Sequence, residues 1–394
     1  MPTVVTDTLV EPSVIYAFVL ALAFVGVVGT PLSIALARLL RVVDEPGGRR
    51  IHARPVPLLG GIGIVVGVLL GTAPNLPLND AFTAILIGAV LMCALGAIDD
   101  AVQLSPAVKL TGQVACTLLP IREGVTIDQF TVPILGAVDL GPAAAPVTVI
   151  FIVAIANVVN FIDGLDGLAA GLCAIAAGTF AVLAVSLDRG TTAVLAAAVA
   201  GACLGFLGWN FHPARIFMGD SGALPLGYLL ATMSIAGVMK TAAALSVVFP
   251  LVVLLVPIVD TSFVVLKRLK YGRPISAADQ NHLHHRMLRL GYSQRRAALS
   301  LYAWCAVLAG FALAVRFLDY RTPAGDWHLW PTVALAVIGA VAVSASLYVV
   351  YALEILKYRH VRLIGFARRV DVGGEVPLSA HRRSEQRDEV ASGS

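Results

Sequence analysis

Apolar stretches long enough to cross a lipid bilayer recur along this sequence, since an α-helix needs about 20 apolar residues to span the hydrocarbon core. Only 13% of the 394 residues are charged, whereas a soluble domain carries about 25%. The mean hydropathy is +0.86, so we exclude a soluble globular protein and predict an all-α integral membrane protein. About eleven transmembrane helices are predicted, at residues 13–40, 59–72, 81–98, 107–120, 144–157, 168–187, 192–209, 222–239, 241–266, 297–315 and 329–353.

Lysine and arginine are distributed unevenly between the loops, and loops rich in these residues stay in the cytoplasm. With the N-terminus outside, only five of the 28 lysines and arginines fall in outer loops. We therefore predict an outer N-terminus and a cytoplasmic C-terminus. The first run is expected to remain as a helix, because it is too long for a signal peptide and no Lys or Arg precedes it.

Two segments outside the spans have their own patterns. Residues 121–143 contain alternating polar and apolar residues and a proline, which predicts a small β-hairpin on the outer face. From residue 362 the chain is charged and aperiodic, so residues 362–394 are predicted to be a disordered cytoplasmic tail after a polytopic membrane domain, residues 1–361. The five cysteines lie in apolar runs without a CxxC pair, and we expect small core residues rather than disulfides or zinc ligands.

Acidic and amide side chains cluster where the predicted spans end on the cytoplasmic side, and a charge at a membrane boundary is costly unless it is paired or bound to a metal. Asp99 and Asp100 end the third span, and Lys109 lies one or two helix turns into the next. Two adjacent carboxylates persist where a divalent cation or a lysine offsets their repulsion. A solvated helix end is an equally good explanation of this pair alone.

The segment NVVNFIDGLDGLAAG follows the fifth span. Asn157, Asn160 and Asp163 recur at steps of three residues, which places them along one helical face, and two glycines permit a turn that brings Asp166 beside them. Oxygen ligands of this kind suit Mg²⁺, which takes one or two carboxylates together with waters and substrate phosphates. A connecting turn is the alternative, although it requires fewer amide and acid side chains.

The segment FMGDSG lies between the seventh and eighth spans, after Asn210. It places Asp220 between two glycines, and Ser221 can cap the helix that follows. The N-terminus of that helix is a favourable place for a phosphate group. A plain capping turn is an equally good explanation of this motif alone.

Two basic loops complete the cytoplasmic side. The first carries Arg49, Arg50 and His52 among prolines and glycines, and phosphate binding and a purely orienting role are both open. The second, residues 267–296, has histidines whose spacing does not match a zinc motif but suits a diphosphate contact or a proton relay. Asp260, about 10 Å up the ninth span, indicates a polar cavity. The histidines and the arginine beside them are His282, His284, His285 and Arg286.

In combination these motifs resemble the polyprenyl-phosphate N-acetylhexosamine-1-phosphate transferases, the bacterial glycosyltransferase family 4. The matching pieces run in the family's order from about residue 44 to 290: DEPGGRRIHARPVPLLGG, GAIDD, NVVNFIDGLDGLAAG, NFHPARIFMGDSG, PIVDTSFVVLKR and HLHHR. The resemblance implies transfer of a sugar-1-phosphate from a UDP-sugar to a membrane polyprenyl phosphate, undecaprenyl or decaprenyl, with release of UMP. It also implies Mg²⁺ as the cofactor, with Mn²⁺ as an alternative.

The same resemblance implies roles for individual residues around the metal. Asp220 is expected to be the principal Mg²⁺ ligand, with Asp100 and Asn160 in or beside the metal shell. Asp99 would contact or deprotonate the lipid phosphate. Lys109 would neutralise phosphate charge.

Further residues are implied for substrate binding and support. Asp163 would support the site as a catalytic residue, and Asp166, Asn210 and Phe217 would form the uridine pocket. The three histidines would lie near the diphosphate and the sugar. The remaining predicted substrate-binding residues are Arg49, Arg50, His52, Asp260 and Arg286.

The histidine motif separates the subfamilies. Members that use a muramyl pentapeptide resemble one another in having three consecutive histidines, whereas this chain reads His-Leu-His-His, as do the N-acetylglucosamine-type members that begin O-antigen, teichoic acid or arabinogalactan synthesis. We therefore favour UDP-N-acetylglucosamine, with UDP-GalNAc or UDP-MurNAc-pentapeptide as alternatives. The expected location is the bacterial inner membrane, with the site on its cytoplasmic face and no nucleic-acid partner. A homodimer is left open, and a polytopic transporter and a histidine-dependent lipid phosphatase are the competing classes.

Overall fold

The computed structural model describes residues 12–45, 55–75, 79–132, 136–239, 255, 258, 287–288, 290–320 and 327–352. All of these belong to one compact unit, Met1–Ile355. The predicted span 241–266 lies almost entirely outside the described residues, and the tail, residues 362–394, lies wholly outside them. Both therefore stay predictions.

The described residues are mainly helical, as the apolar periods predicted. A π-helical turn, Val25–Gly29, lies within the first helix, and another, Ser234–Met239, follows the eighth. Prolines occur in the first turns of four of the described helices, where their missing N–H groups cost little: Pro12, Pro106, Pro146 and Pro331. The helices are α1 (Pro12–Leu39), α2 (Gly60–Thr72), α3 (Asp80–Val102), α4 (Pro106–Arg122), α5 (Ala144–Ile162), α6 (Leu168–Ser186), α7 (Gly190–Asn210), α8 (Asp220–Met233), α9 (Gln294–Phe317) and α10 (Leu329–Ala352).

Seven helices in the described part of the chain are long and apolar enough to cross a membrane: α1, α3, α5, α6, α7, α9 and α10. The helices at three further predicted spans, α2, α4 and α8, are shorter, at 13, 17 and 14 residues. The structure therefore confirms a polytopic helical protein.

Two short antiparallel sheets accompany the helices. Strands β3 (Gln129–Val132) and β4 (Gly136–Asp139) pair as a hairpin, which confirms the prediction of a hairpin within residues 121–143. Strands β1 (Val43–Asp44) and β2 (Val56–Pro57) also pair, at the two ends of the proline-rich loop. This second pairing brings the start of α2 back toward the end of α1.

Helix α7 lies at the centre of the bundle, between α1 and α6, while α8 packs between α3 and α5. Close packing of α1 on α7 depends on small residues, as in many membrane helix pairs. A Cβ at Gly205 would lie 2.9 Å from the backbone nitrogen of Gly26, closer than real Cβ atoms approach. All five cysteines are buried, as predicted for small core residues.

Helix α10 lies at the periphery and packs mainly against α9. Trp304 donates to Ser346 across this contact at 2.9 Å. Large apolar side chains on α10, such as Trp330 and Leu347, are exposed. Exposure of this kind is compatible with a helix that faces lipid, because lipid is as apolar as the side chains themselves.

Candidate active site

The last turn of α3 holds the start of α8. The carboxylate of Asp100 accepts the backbone N–H groups of Asp220 and Ser221, at 2.9 and 3.0 Å. The N-terminal N–H groups of a helix have no partner within the helix, and an anion there is favoured by the helix dipole. Gly96 lies directly against the backbone of Asp220, so a larger residue would prevent this approach. Asp100 therefore anchors the helix that begins with Asp220.

Lys109, on α4, connects the two other carboxylates. Its ammonium lies 2.9 Å from Asp99 Oδ2 and also pairs with Asp220. The other oxygen of Asp99 accepts the N–H of Leu104, 2.6 Å away, in the turn between α3 and α4. The side chain of Ser105 caps α4 by accepting the N–H of Val108. The short connection therefore directs Lys109 back toward the acidic pair.

The end of α5 supplies the amide and a further acid. Asn160 donates from Nδ2 to Asp220 Oδ1 at 2.6 Å. Asp163 follows the last residue of α5, and burial, followed by the negative charges of Asp220, Asp100 and Asp166, raises the pKa of Asp163 to about 8. The Gly219 N–H donates to this carboxyl and partly opposes the shift. The raised pKa therefore reflects burial first and the neighbouring carboxylates second.

A buried amide pair lies between α4 and α5, beside the charged cluster. Asn157 Nδ2 donates to Gln113 Oε1 at 2.6 Å, and Gln113 donates back at 3.4 Å. Gln113 and Lys109 are four residues apart on α4, as neighbours on one helix face are. Gln113 is only 1% exposed. It did not stand out in the sequence, although a glutamine one helical turn after a candidate lysine is a usable signal.

The loop that precedes α8 is held mainly by its backbone. The carbonyl oxygens of Phe217 and Met218 accept the N–H groups of Gly60 and Gly61, both at 3.1 Å, and the Phe217 N–H donates to Pro57. Gly219 has a φ of 68°, a conformation that side chains disfavour. A Cβ there would also collide with the Asp100 carboxylate. The glycines of FMGDSG and of the Gly60-Gly61 pair are therefore required by close approach.

Asp166 and Asn210 join the turn after α5 to the loop after α7. Asp166 Oδ2 accepts from His212 Nδ1 at 2.7 Å and from the Ala214 N–H at 3.1 Å. Asn210 is 2% exposed, with its amide oxygen on the Gly167 N–H and its amide nitrogen on the Ile216 carbonyl. Asn210 thus has partners within the protein that fix the two loops against each other.

The structure therefore brings together six of the predicted residues in one cluster, and three more in the neighbouring loops. We call the six, together with the turns that carry them, the acidic cluster. Its members are Asp99, Asp100, Lys109, Asn160, Asp163 and Asp220; the neighbouring three are Asp166, Asn210 and Phe217. The other predicted site residues lie outside the described residues: Arg49, Arg50, His52, Asp260, His282, His284, His285 and Arg286.

The acidic cluster can be tested for its fit to a divalent cation by the chemistry of its donors. The acidic cluster as defined contains four carboxylates and one ammonium, and carboxylate and amide oxygens are the ligands that Mg²⁺ prefers. Among the described residues no three His, Cys, Asp or Glu side chains lie together in an arrangement that would hold a metal ion by themselves. Both oxygens of Asp100 accept backbone N–H groups. Asp99 accepts from Leu104 and Lys109, and Asp220 from Asn160 and Lys109, so each of these carboxylate oxygens already has one donor. The donors fit an ion that takes few protein ligands and completes its shell with water and phosphate oxygens.

Known proteins identify the family. Residues 82–238, which include the acidic cluster, match the model of glycosyl transferase family 4. The chain is also 40% identical over 304 residues, 77% of this chain and 83% of the relative, to the probable undecaprenyl-phosphate N-acetylglucosaminyl 1-phosphate transferase of Bacillus subtilis. The chain belongs to glycosyl transferase family 4.

Two further relatives represent the two subfamilies that the histidine motif separates, the N-acetylglucosamine type and the muramyl-pentapeptide type. The decaprenyl-phosphate N-acetylglucosaminephosphotransferase of Mycobacterium leprae is 33% identical, over 77% of this chain and 84% of the relative. The phospho-N-acetylmuramoyl-pentapeptide-transferase of Moorella thermoacetica is 33% identical, over 74% of this chain and 95% of the relative. The resemblance predicted from the motifs is confirmed.

Proposed function

We propose that this protein transfers N-acetylglucosamine-1-phosphate from UDP-N-acetylglucosamine to a membrane polyprenyl phosphate and releases UMP, as the first membrane step of cell-envelope polysaccharide synthesis. The observation that carries the proposal is the acidic cluster, which four helices assemble at one end of the bundle. The relatives' names supply the polyprenyl phosphate acceptor and the N-acetylglucosamine phosphate group. The apolar helices are suited to the membrane in which such an acceptor is dissolved.

In this reaction an oxygen of the lipid phosphate attacks the phosphorus that carries the sugar. A new P–O–P linkage forms, and the bond to the UMP oxygen breaks, so UMP leaves with the electron pair of that bond. Both reactants are anions, so repulsion must be reduced before they can meet. Lys109 supplies one positive charge at this point and stays held by Asp99 and Asp220.

Mg²⁺, or Mn²⁺ in its place, would supply the remaining positive charge on the phosphate oxygens when bound. Asp220 would be its principal protein ligand, since its carboxylate lies at the centre of the acidic cluster, in contact with Lys109 and Asn160. Asn160 is placed to orient that carboxylate through the 2.6 Å hydrogen bond. Asp163, whose pKa is raised to about 8 by burial and like charges, would be stabilised as an anion by added positive charge.

Asp99 is better suited to positioning Lys109 than to removing a proton. Its two oxygens accept from the Leu104 N–H and from Lys109, and a carboxylate with such donors is a weak base. A base is also unnecessary, since a phosphate monoester with a second pKa of about 6 is already largely dianionic at pH 7. We therefore propose that Asp99 holds the positive charge of Lys109 in position.

The full topology is proposed as eleven spans with the N-terminus outside and the C-terminus in the cytoplasm. The positive-inside distribution of Lys and Arg supports it. In this orientation the acidic cluster faces the cytoplasm of a bacterial inner membrane, where nucleotide sugars are made. To test it, Asp128 or Arg41 is replaced by a single cysteine in an otherwise cysteine-free protein, and intact cells are labelled from outside. Label is expected at residue 128 alone.

One assay tests the reaction. Purified protein in detergent is given labelled UDP-GlcNAc, UDP-GalNAc or UDP-MurNAc-pentapeptide, with and without undecaprenyl phosphate, at fixed MgCl₂. Labelled lipid and an equal amount of UMP are expected with UDP-GlcNAc, and only when the lipid phosphate is present. UMP released without lipid would indicate a hydrolase, and labelled lipid only from the pentapeptide substrate would overturn the choice of sugar.

A further inference from the structure

Within the described residues, the carboxylate of Asp166 is held through one of its two oxygens. Its Oδ2 accepts two hydrogen bonds, one from the His212 ring and one from the Ala214 N–H. No bond to its Oδ1 is present within the described part of the chain. The side chain is 16% exposed and lies close enough to Asp163 to raise the pKa of that acid. One oxygen is therefore fixed by the protein, and among the described residues the other has no hydrogen-bond donor, beside the acidic cluster.

His212 is itself held by two elements. A carboxylate oxygen accepts hydrogen bonds, so in this pair the His212 ring donates from Nδ1. The backbone carbonyl of His212 accepts from Arg295 Nε of α9 at 3.0 Å. On the same face of α9, Tyr302 donates to the carbonyl of Gly167, one residue after Asp166. Helix α9 thus supports both partners of the Asp166–His212 pair.

The chemistry of a carboxylate determines which of the two substrates, the UDP-sugar or the lipid phosphate, Asp166 can bind. A carboxylate repels the lipid phosphate, which is dianionic and carries almost no donor at pH 7. A nucleotide sugar instead offers neutral donors, namely the imide N–H of uracil and the hydroxyl groups of ribose and sugar. The free oxygen of Asp166 therefore suits the UDP-sugar and not the polyprenyl phosphate.

We propose that His212 is a positioning residue for the donor nucleotide, because its Nδ1–H fixes Asp166 so that the free oxygen points at a neutral N–H or O–H of the UDP-sugar. The inference rests on the proposed function, since it requires a nucleotide donor. His212 makes no contact with the reacting phosphorus in this assignment. It acts through Asp166, and its removal should therefore affect donor binding before it affects chemistry.

The test measures KM for UDP-GlcNAc and for undecaprenyl phosphate separately in full-length protein, with UMP binding by calorimetry as a second readout. His212→Ala is expected to raise the donor KM and weaken UMP binding about tenfold, the effect of one charge-assisted hydrogen bond. The KM for the lipid should change less than about twofold. His328→Ala, an exposed histidine whose side chain has no described hydrogen bond, is the matched control.

Two amide variants keep the test decisive if His212→Ala folds poorly. The amide nitrogen of His212→Asn falls near the position of Nδ1, so this variant should retain a donor KM within about threefold of the wild type. His212→Gln places its amide one bond further out and should behave like His212→Ala. An unchanged donor KM in both His212→Ala and His212→Gln, or an equal rise of both substrates' KM values, would overturn the inference. A wild-type protein that binds UMP but makes no labelled lipid would overturn the proposed function instead.

Discussion

Replacing Asp100 by asparagine separates an anchoring role from a metal-binding role. Asp100 accepts the first two N–H groups of α8, at 2.9 and 3.0 Å. Asparagine keeps one acceptor and turns an NH₂ group toward the other N–H. Loss of one charge-assisted hydrogen bond and of the helix-dipole interaction together weakens the start of α8 by about 2–4 kcal/mol.

The consequence should appear in turnover more than in metal affinity. Asp220 is the first residue of α8, so a loosened helix start misplaces it, and a misplacement of about 1 Å can lower kcat roughly 100-fold. The thermal midpoint of the purified protein should fall as well. The MgCl₂ concentration for half-maximal activity should stay within about threefold of the wild type, since the lost bonds are to backbone N–H groups.

The assay is a MgCl₂ titration of initial rates, paired with a melting curve of the same preparation. Asp80→Asn is the matched control, because Asp80 lies in the first turn of α3, the helix that carries Asp100, at the opposite and exposed end. It should change neither readout. If Asp100→Asn raises the half-maximal MgCl₂ concentration tenfold or more and leaves the melting curve unchanged, Asp100 is a metal ligand and the anchoring argument is wrong.

Three further predictions concern the same cluster. Asp220→Ala and Asp99→Asn should each remove nearly all turnover, because each takes away a partner of Lys109; near-normal transfer by purified Asp220→Ala with MgCl₂ would contradict the assignment. Gly96→Val should lower folded yield in a fluorescence size-exclusion assay, since its side chain would meet the backbone of Asp220; normal yield and activity would show that α3 and α8 separate easily. Asp163 has a folded pKa of about 8, above its unfolded value, so without divalent ions its contribution to stability falls as pH rises from about 4 to 8. In EDTA the wild type should therefore lose more thermal stability than Asp163→Asn between pH 5 and pH 8, and parallel curves would refute this.

Much of the acidic cluster could be predicted from the sequence because its members fall at the ends of apolar runs. Steps of three residues placed Asn160 and Asp163 on one side of a helix end, and both reach the neighbourhood of Asp220. The lysine after the Asp99-Asp100 pair was one of two candidates for offsetting its charge, beside a divalent cation, and it pairs with Asp99. These features follow from local periodicity and from the cost of burying charge.

The remaining contacts depend on distant parts of the chain. Nothing in the local sequence distinguishes Asp100, which binds backbone 120 residues away, from Asp99, which binds a lysine 10 residues away. Gln113 was missed because it lies within a predicted span, and its partner Asn157 belongs to another helix. The hydrogen bond between His212 and Asp166 was missed because the two residues lie 46 positions apart in the chain.

The loop before α8 is attached to the rest of the protein through main-chain atoms of Pro57, Gly60 and Gly61 on one side and of Phe217 and Met218 on the other. Such attachment depends little on side chains, so a substitution at an exposed position of this loop, such as Arg215, should leave Asp220 in place. A substitution at Gly60, Gly61 or Gly219, where a side chain would collide with neighbouring atoms, should displace it.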